Sequence, residues 1–326
     1  MKAVVLVGGE GTRLRPLTLT TPKQMLPVGG RPMIERVIGG LGQHGITEVV
    51  LSLGYRPDAF TRAYPDGRCA GLAMRYAVEP EPLDTAGAIA FAADDAGIDE
   101  TFLVLNGDVL TGLDVGALIR FHRDHAAEAT IALTPVEDPS RFGVVPTDSD
   151  GRVIAFIEKP PRDEAPTNLI NAGTYVLEPS ILGRIPRGRR VSIERETFPL
   201  VVDDRGLFAL ASDADWLDAG TPATYLAANL RYAGPPGPTV ELADGAEVVS
   251  SVIGEGVKVG AGAVVRESVL FDGSVVGPGA RVCSSIIGTA AKVEKDAVVT
   301  DLTVIGYEAV VQGGERISGG RVPSTS

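Results

Sequence analysis

Cysteine is scarce in this chain, with two among 326 residues, Cys69 and Cys283. They fall in segments that the patterning below assigns to different domains. That argues against a disulfide-stapled secreted fold, and a reduced, cytoplasmic chain is expected. Positive charge is also short: 30 Lys and Arg stand against 42 Asp and Glu, for a net charge of −12. An acidic surface repels a phosphate backbone, so no nucleic-acid partner is expected. Small phosphorylated ligands stay open, provided metal ions and a few local cations offset the charge. No apolar run approaches the ~18 residues of a spanning helix, so no membrane partner is expected. Met1-Lys2 leads straight into the apolar run Ala3–Val7, with no leader pattern before it. What is present is ordinary for a globular protein, with 44% apolar and 22% charged residues and enough length for two domains.

The first two thirds of the chain alternate short apolar runs with helical patterns. Strands are predicted at Ala3–Val7, Glu48–Leu53, Met74–Val78, Thr101–Leu105 and Thr130–Val136, and helices at Met33–Leu41, Ala86–Ala96 and Val115–His125. This alternation predicts a mainly parallel, Rossmann-like α/β sheet covered on both faces. Phe142–Val145 and Val153–Ile157 flank the turn residues Asp148-Ser149-Asp150-Gly151 and read as an inserted antiparallel hairpin. The stretch Ala233-Gly234-Pro235-Pro236-Gly237-Pro238 can be neither helix nor central strand. It separates a first domain, residues 1–233, from a second, residues 240–322. In the second domain Ile253, Val259, Val265, Leu270, Val276, Val282, Ile287, Val293, Val299, Ile305 and Val311 recur every six residues, with two five-residue steps. That period fits no amphipathic helix and no single alternating strand. It predicts a left-handed parallel β-helix of hexapeptide repeats, about four coils long.

Directly after the first strand comes Gly8-Gly9-Glu10-Gly11-Thr12-Arg13-Leu14-Arg15-Pro16-Leu17-Thr18. Three glycines at a strand end let backbone N–H groups close on a phosphate. The Gly-Lys-Ser/Thr ending of a P-loop is absent, and a tight strand-to-helix turn would explain the glycines equally well. Arg13, Arg15 and Lys23, clustered in an acidic chain, favour a polyphosphate site. Asp108 lies just past the apolar strand Phe102–Leu105, at the edge where open α/β sheets bind ligands. Asp218 precedes the helix start Gly220-Thr221-Pro222. Either carboxylate could be a helix cap or a ligand for a hard cation.

The run Gly8-Gly9-x-Gly11-Thr12-Arg13-Leu14-x-Pro16-Leu17-Thr18, followed by Pro22-Lys23-x-x-Leu26-Pro27-Val28, resembles the signature of the sugar-nucleotide pyrophosphorylases. The resemblance continues through Leu105-Asn106-Gly107-Asp108, Glu158-Lys159-Pro160, Asn171-Ala172-Gly173 and Trp216-Leu217-Asp218-Ala219-Gly220-Thr221-Pro222, and covers residues 1 to about 230. Within that family the chain is most similar to the mannose-1-phosphate guanylyltransferases, through Glu81-Pro82-Leu83, Thr85-Ala86-Gly87 and Ser192-Ile193-Glu194-Arg195-Glu196.

The resemblance implies transfer of a nucleotidyl group from a nucleoside triphosphate to a sugar 1-phosphate, with release of pyrophosphate. It implies Mg²⁺ held by Asp108 and Asp218, and Arg13 and Lys23 on the triphosphate. Gly8, Gly9, Gly11, Thr12, Glu79, Thr85, Gly87, Asn106 and Gly107 would line the nucleotide. Lys159 would hold the sugar phosphate, Glu158, Asn171 and Glu194 the sugar hydroxyls, and Gly143 and Gly173 would let the ring approach the backbone. A homo-oligomer is expected.

The chemistry asks for little else. A sugar 1-phosphate has a second pKa near ~6, so its oxygen is already an anionic nucleophile at neutral pH. Two anions must be brought into line and their charge neutralised, which requires cations rather than a catalytic histidine. The three histidines, His44, His122 and His125, read as surface or helix-packing residues. An acceptor-only carboxylate at Glu79 would suit guanine, whose N1–H and amino group both donate, although Asp84 stands where relatives usually have glycine. A glycosyltransferase would carry an Asp-x-Asp metal motif in place of this loop. A hexapeptide acyltransferase would need a histidine in its coils, and none follows His125. A non-catalytic homologue would tend to lack the loop cations or the two carboxylates.

Overall fold

The computed structural model describes residues 1–54, 57–237 and 239–324. Pro238, placed above in the interdomain stretch, lies outside the described residues. The chain divides into two compact units, Met1–Gly9 with Ile34–Trp216, and Glu10–Met33 with Leu217–Ser326.

The first unit is built on one sheet. Its centre is parallel: β1 (Lys2–Leu6), β2 (Glu48–Leu53), β3 (Leu72–Val78) and β4 (Phe102–Asn106) run in the order β4–β1–β2–β3. β1, β2 and β4 are near-continuous Val and Leu runs because both faces are buried, whereas β3 is broken by the exposed Arg75. Beyond β4 the sheet turns antiparallel. The further strands are β5 (Ala129–Pro135), β6 (Gly143–Val144), β7 (Ile157–Glu158), β8 (Leu169–Leu177) and β9 (Leu207–Ala211). β8 runs antiparallel to both β4 and β5, and β9 adds parallel to β5.

The predicted hairpin exists, but its second arm is displaced. Gly143 pairs with Glu158 and Val144 with Ile157. The Asp148 carboxylate accepts from the N–H groups of Asp150 and Arg152, closing a tight turn, and Val153 N–H then donates to Leu207 on β9.

The helices are α1 (Met33–Ile38), α2 (Pro57–Ala63), α3 (Asp84–Asp95), α4 (Val115–Asp124) and α5 (Phe198–Asp203), with α6 (Pro222–Arg231) in the second unit. α1 stops three residues short of the predicted Leu41, where Gly39-Gly40 follows and Gly40 takes a φ of 89°. Ala86, Ala90, Ala92 and Ala93 of α3 pack with Val4, Val50, Val104 and Ile131 of the sheet, and Phe198 and Val201 of α5 complete that core.

His122 is a packing residue, as expected, and almost wholly buried. Its Nδ1 lies 2.8 Å from Thr130 Oγ1 and its Nε2 3.1 Å from Glu178 Oε1. Burial holds its pKa below the ordinary 6.5, against the opposing pull of Glu178. The unfolded chain therefore takes up this proton first as pH falls. Stability from His122 is present above about pH 6.5 and is lost as pH drops through that value towards the lower folded pKa. The thermal midpoint of the wild type is expected to fall more between pH 7 and pH 5 than that of His122→Gln. Equal slopes for the two proteins would refute the assignment.

In the second unit, residues 241–322 form three five-stranded parallel sheets, an arrangement consistent with a left-handed β-helix. Register steps are 17 residues, as in Lys258↔Val275, apart from one step of 18 in each sheet, at Ile286↔Val304, Lys292↔Val310 and Val298↔Arg316. Five coils form rather than about four. The first had a weak pattern because Leu242 and Val249 stay exposed. All of the six-residue repeat positions lie in one buried core. Corners in the left-handed region recur coil after coil, at Gly245, Gly262, Gly279 and Asp296, and at Ser250, Glu267, Ser284 and Asp301. On the third sheet Val269, Ile286 and Val304 are fully buried although they alternate with the core positions. α6 lies against the Val269–Leu270 strand there, with the rings of Tyr225 and Phe271 6.3 Å apart, edge to face.

Candidate active site

In the first unit, the parallel register sets Leu6 beside Asn106. Gly8-Gly9 and Gly107-Asp108 therefore leave the carboxyl ends of two neighbouring strands side by side, the position where open α/β sheets bind ligands. Gly8 and Gly9 are exposed, open space lies where their Cβ atoms would be, and Gly9 has a φ of 113°. Gly107 N–H donates to Leu6 O. Asp108 is partly exposed in the turn after β4. It is not the cap of the next helix, because Asp114 fills that role through Ala117 N–H.

Along the same edge, beyond β3, the loop from Glu79 to Thr85 is tied down by its own side chains. Glu79 is 9% exposed. Its Oε1 accepts from Ser52 Oγ at 3.0 Å and its Oε2 from Leu83 N–H at 3.0 Å. Its carboxylate anchors the loop. The Thr85 hydroxyl donates to Glu194 Oε2 at 2.8 Å and accepts from Ile193 N–H. Glu194 also accepts from Ser192 Oγ at 2.8 Å, so this pair joins α3 to the π-helical turn Ile193–Thr197. Gly87 is a packing glycine: a Cβ there would lie 2.9 Å from Leu83 Cβ and 3.1 Å from Arg189 O, and its N–H goes to Val191 O.

Asp84 takes a φ of 61°, which explains why glycine suits this position. Aspartate tolerates the left-handed region better than most residues. Here it accepts from Thr85 N–H and sits 3.0 Å from Arg195.

The loop assignment has a direct test. In Glu79→Gln the amide oxygen can accept from Leu83 while its N–H₂ donates to Ser52 Oγ, whose single proton can then turn from residue 79 to Ala88 O, 3.3 Å away. That variant is expected to keep wild-type stability within ~0.5 kcal/mol, whereas Glu79→Ala strands a buried N–H and costs about 1–3 kcal/mol. Urea denaturation of the two variants separates this role from an exposed one, which would make both harmless.

The hairpin and β8 gather the remaining first-unit candidates. Gly143 faces Glu158 across the β6–β7 pair, and a Cβ at 143 would strike Phe156 at 2.6 Å. Lys159 follows with a φ of 49°, its ammonium 3.0 Å from Glu158 Oε1, and both side chains are exposed. Asn171 and Gly173 form a bulge in β8. Asn171 Oδ1 accepts from Gly173 N–H, and its Nδ2 donates to Tyr175 Oη at 2.8 Å. Burial pushes the Tyr175 phenol up, out of reach of ionisation. Gly173, with a φ of 73°, lets Asn106 lie where a Cβ would stand 2.5 Å from its Nδ2. Both glycines thus have packing reasons of their own. The Trp216 indole pins the bulge by donating to Ala172 O at 2.9 Å.

In the second unit, Gly11 (φ 60°) opens the turn Thr12–Leu14, and its carbonyl accepts from Thr18 Oγ1. Thr12 and Arg13 are exposed, and Lys23 is 5% exposed. Lys23 Nζ lies 3.8 Å from Asp218 Oδ1, a partner for an otherwise costly buried ammonium. Asp218 does not cap α6; Thr221 does, in a capping box with Thr224. Gly220 lies beside all three charged groups. A Cβ on it would lie 2.7 Å from Asp218 Oδ1, 2.9 Å from Arg13 Nη2 and 3.2 Å from Lys23 Nζ. Two cations and a carboxylate thus converge on one glycine. Among the described residues no group of three or more His, Cys, Asp and Glu is placed to hold a metal, and no helix is long and apolar enough to cross a membrane.

The chain belongs to the nucleotidyl transferase family, whose model matches residues 2–234, and residues 237–325 match the GMPPB C-terminal domain. It is 41% identical over 289 residues to a mannose-1-phosphate guanylyltransferase of Mycobacterium tuberculosis, covering 83% of this chain and 80% of that protein. It is 37% identical over 329 residues to mannose-1-phosphate guanylyltransferase 1 of Arabidopsis thaliana, covering 97% and 89%. Among solved structures, HddC from Yersinia pseudotuberculosis complexed with GMP-PN matches with a TM-score of 0.60 at 29% identity, over 71% of this chain and 99% of that one.

Proposed function

We propose that this nucleotidyltransferase joins GTP to mannose 1-phosphate, giving GDP-mannose and pyrophosphate. The observation that carries the reading is the convergence of Arg13, Lys23 and Asp218 on Gly220. The likeness to mannose-1-phosphate guanylyltransferases supplies the base and the sugar. In this reading Arg13 and Lys23 neutralise the triphosphate, and the backbone of Gly8, Gly9, Gly11 and Thr12 lies along it. Gly107 follows Asn106, whose register beside Leu6 puts it next to that loop. Lys159 meets the sugar phosphate, while Glu158 and Asn171 offer acceptors to sugar hydroxyls. Thr85, Gly87 and Glu194 act by holding the Glu79 loop in place.

Asp108 and Asp218 would hold Mg²⁺. Two carboxylates and no nitrogen or sulfur donor suit a hard ion that keeps water and phosphate oxygens in its shell. When bound, it would neutralise charge on the phosphate under attack. The catalytic domain is taken as 1–233 and the β-helix as 240–322, in a cytoplasmic homo-oligomer.

The test is pyrophosphate release from each of four nucleoside triphosphates with mannose, glucose and related 1-phosphates. GTP with mannose 1-phosphate is expected to lead. Preference for UTP or dTTP with glucose 1-phosphate would overturn the substrate assignment and leave the enzyme class standing.

A further inference from the structure

The segment that carries Arg13 and Lys23 has almost no regular structure of its own. It is three single 3₁₀ turns, Thr12–Leu14, Leu17–Leu19 and Lys23–Met25, followed by the short paired strands Pro27–Val28 and Arg31–Pro32. Yet Leu14, Leu17, Leu26 and Val28 in it are buried. A segment this irregular holds its shape only through what it packs against. α6 supplies one brace: Tyr225 Oη donates to Pro27 O, and the fully buried Asn229 accepts from Gly29 N–H at 3.0 Å.

The β-helix supplies the other brace. At the corner after the third sheet, a Cβ on Gly254 would meet Asp272 of the next coil, and one on Gly288 would meet Ile305 O and Gly306 of the next. At Gly306 the first atoms met are Cβ and Cγ of Pro16, both at 3.0 Å. Pro16 is buried and lies three residues from Arg13. Beside this contact a cavity of about 300 Å³ is bordered by Leu17, Thr21 and Met25 of the loop and by Phe271, Thr289 and Tyr307 of the coils.

We propose that the fourth coil, through Gly306 against Pro16, is a positioning element for the triphosphate loop, setting where Arg13 and Lys23 stand. This rests on the triphosphate role proposed for those two cations. A displacement of an ångström in a binding group is enough to cost orders of magnitude in rate or affinity.

The test uses the full chain, with GTP and mannose 1-phosphate or the best pair from the substrate panel. Gly306→Val is expected to raise the KM for the triphosphate by about tenfold or more, while the KM for the sugar phosphate changes less than about twofold. Gly277→Val is the matched control, because the three atoms nearest a Cβ there all belong to the next coil, with Lys295 N at 2.7 Å. It should lower the thermal midpoint without moving either KM. A folded Gly306→Val with an unchanged triphosphate KM would overturn the proposal, as would an equal rise in Gly277→Val. If Gly306→Val does not fold, Gly306→Ala is read by the same criterion. Lys23→Ala separates the two claims: an unchanged triphosphate KM there removes the triphosphate role itself, whereas a raised one with Gly306→Val unaffected removes only the positioning.

Discussion

Asp108→Asn should lower the rate of pyrophosphate release at saturating substrates and Mg²⁺ by about a hundred- to a thousandfold, the usual loss when one charge-stabilising group is removed from a reacting centre. The substitution keeps size and shape, and its site is a partly exposed turn outside the core. The cap of the following helix is Asp114, so no structural duty of that kind is lost. The thermal midpoint should therefore stay within about 2 °C of wild type, since surface changes are worth about ±0.5 kcal/mol. Near-normal turnover at any Mg²⁺ concentration would remove Asp108 from the chemistry. A large fall in the midpoint alongside lost activity would make it a structural residue instead.

The β-helix was legible because its period is imposed by geometry. Each side of a coil needs one inward apolar residue, and a six-residue period matches neither an amphipathic helix nor an alternating strand. Three of the central parallel strands were legible as near-continuous apolar runs, and Leu72–Val78 by its partial alternation around Arg75. β8 was not, because Asn171 and Gly173 interrupt its run and form a bulge where register with β5 shifts. The glycine loop, Asp108 and Asp218 could be found from local motifs.

The duties of Glu79, Thr85 and Glu194 could not. Ser52 is 27 residues from Glu79, and Glu194 is 109 from Thr85. A lone carboxylate in a loop looks the same in sequence whether it faces a ligand or its own backbone. Asp84 is the intermediate case: the departure from glycine was visible, and the left-handed φ and the Arg195 contact that make it workable were not.

Gly220→Ala should be the most informative single methyl in the molecule. Its φ lies outside the left-handed region, so the backbone accepts alanine without strain. The atoms in its way are the ends of flexible side chains, Arg13 Nη2 and Lys23 Nζ, and the oxygen of Asp218. They can move aside, so the fold should lose no more than about 1 kcal/mol. The cations cannot move aside and also keep their places. Lys23 is the more constrained, because a displaced ammonium in a buried setting either leaves Asp218 or takes it along. The KM for the triphosphate should therefore rise by about tenfold to a hundredfold, as expected when charged groups are misplaced by about an ångström. Inhibition by added pyrophosphate, which would use the same cations, should weaken in parallel, while the KM for the sugar phosphate holds. A folded Gly220→Ala enzyme with wild-type triphosphate and pyrophosphate constants would show that the cluster does not bind the polyphosphate. Arg13, Lys23 and Asp218 would then be a stabilising charge cluster, and the triphosphate would have to rest on the backbone of the glycine loop.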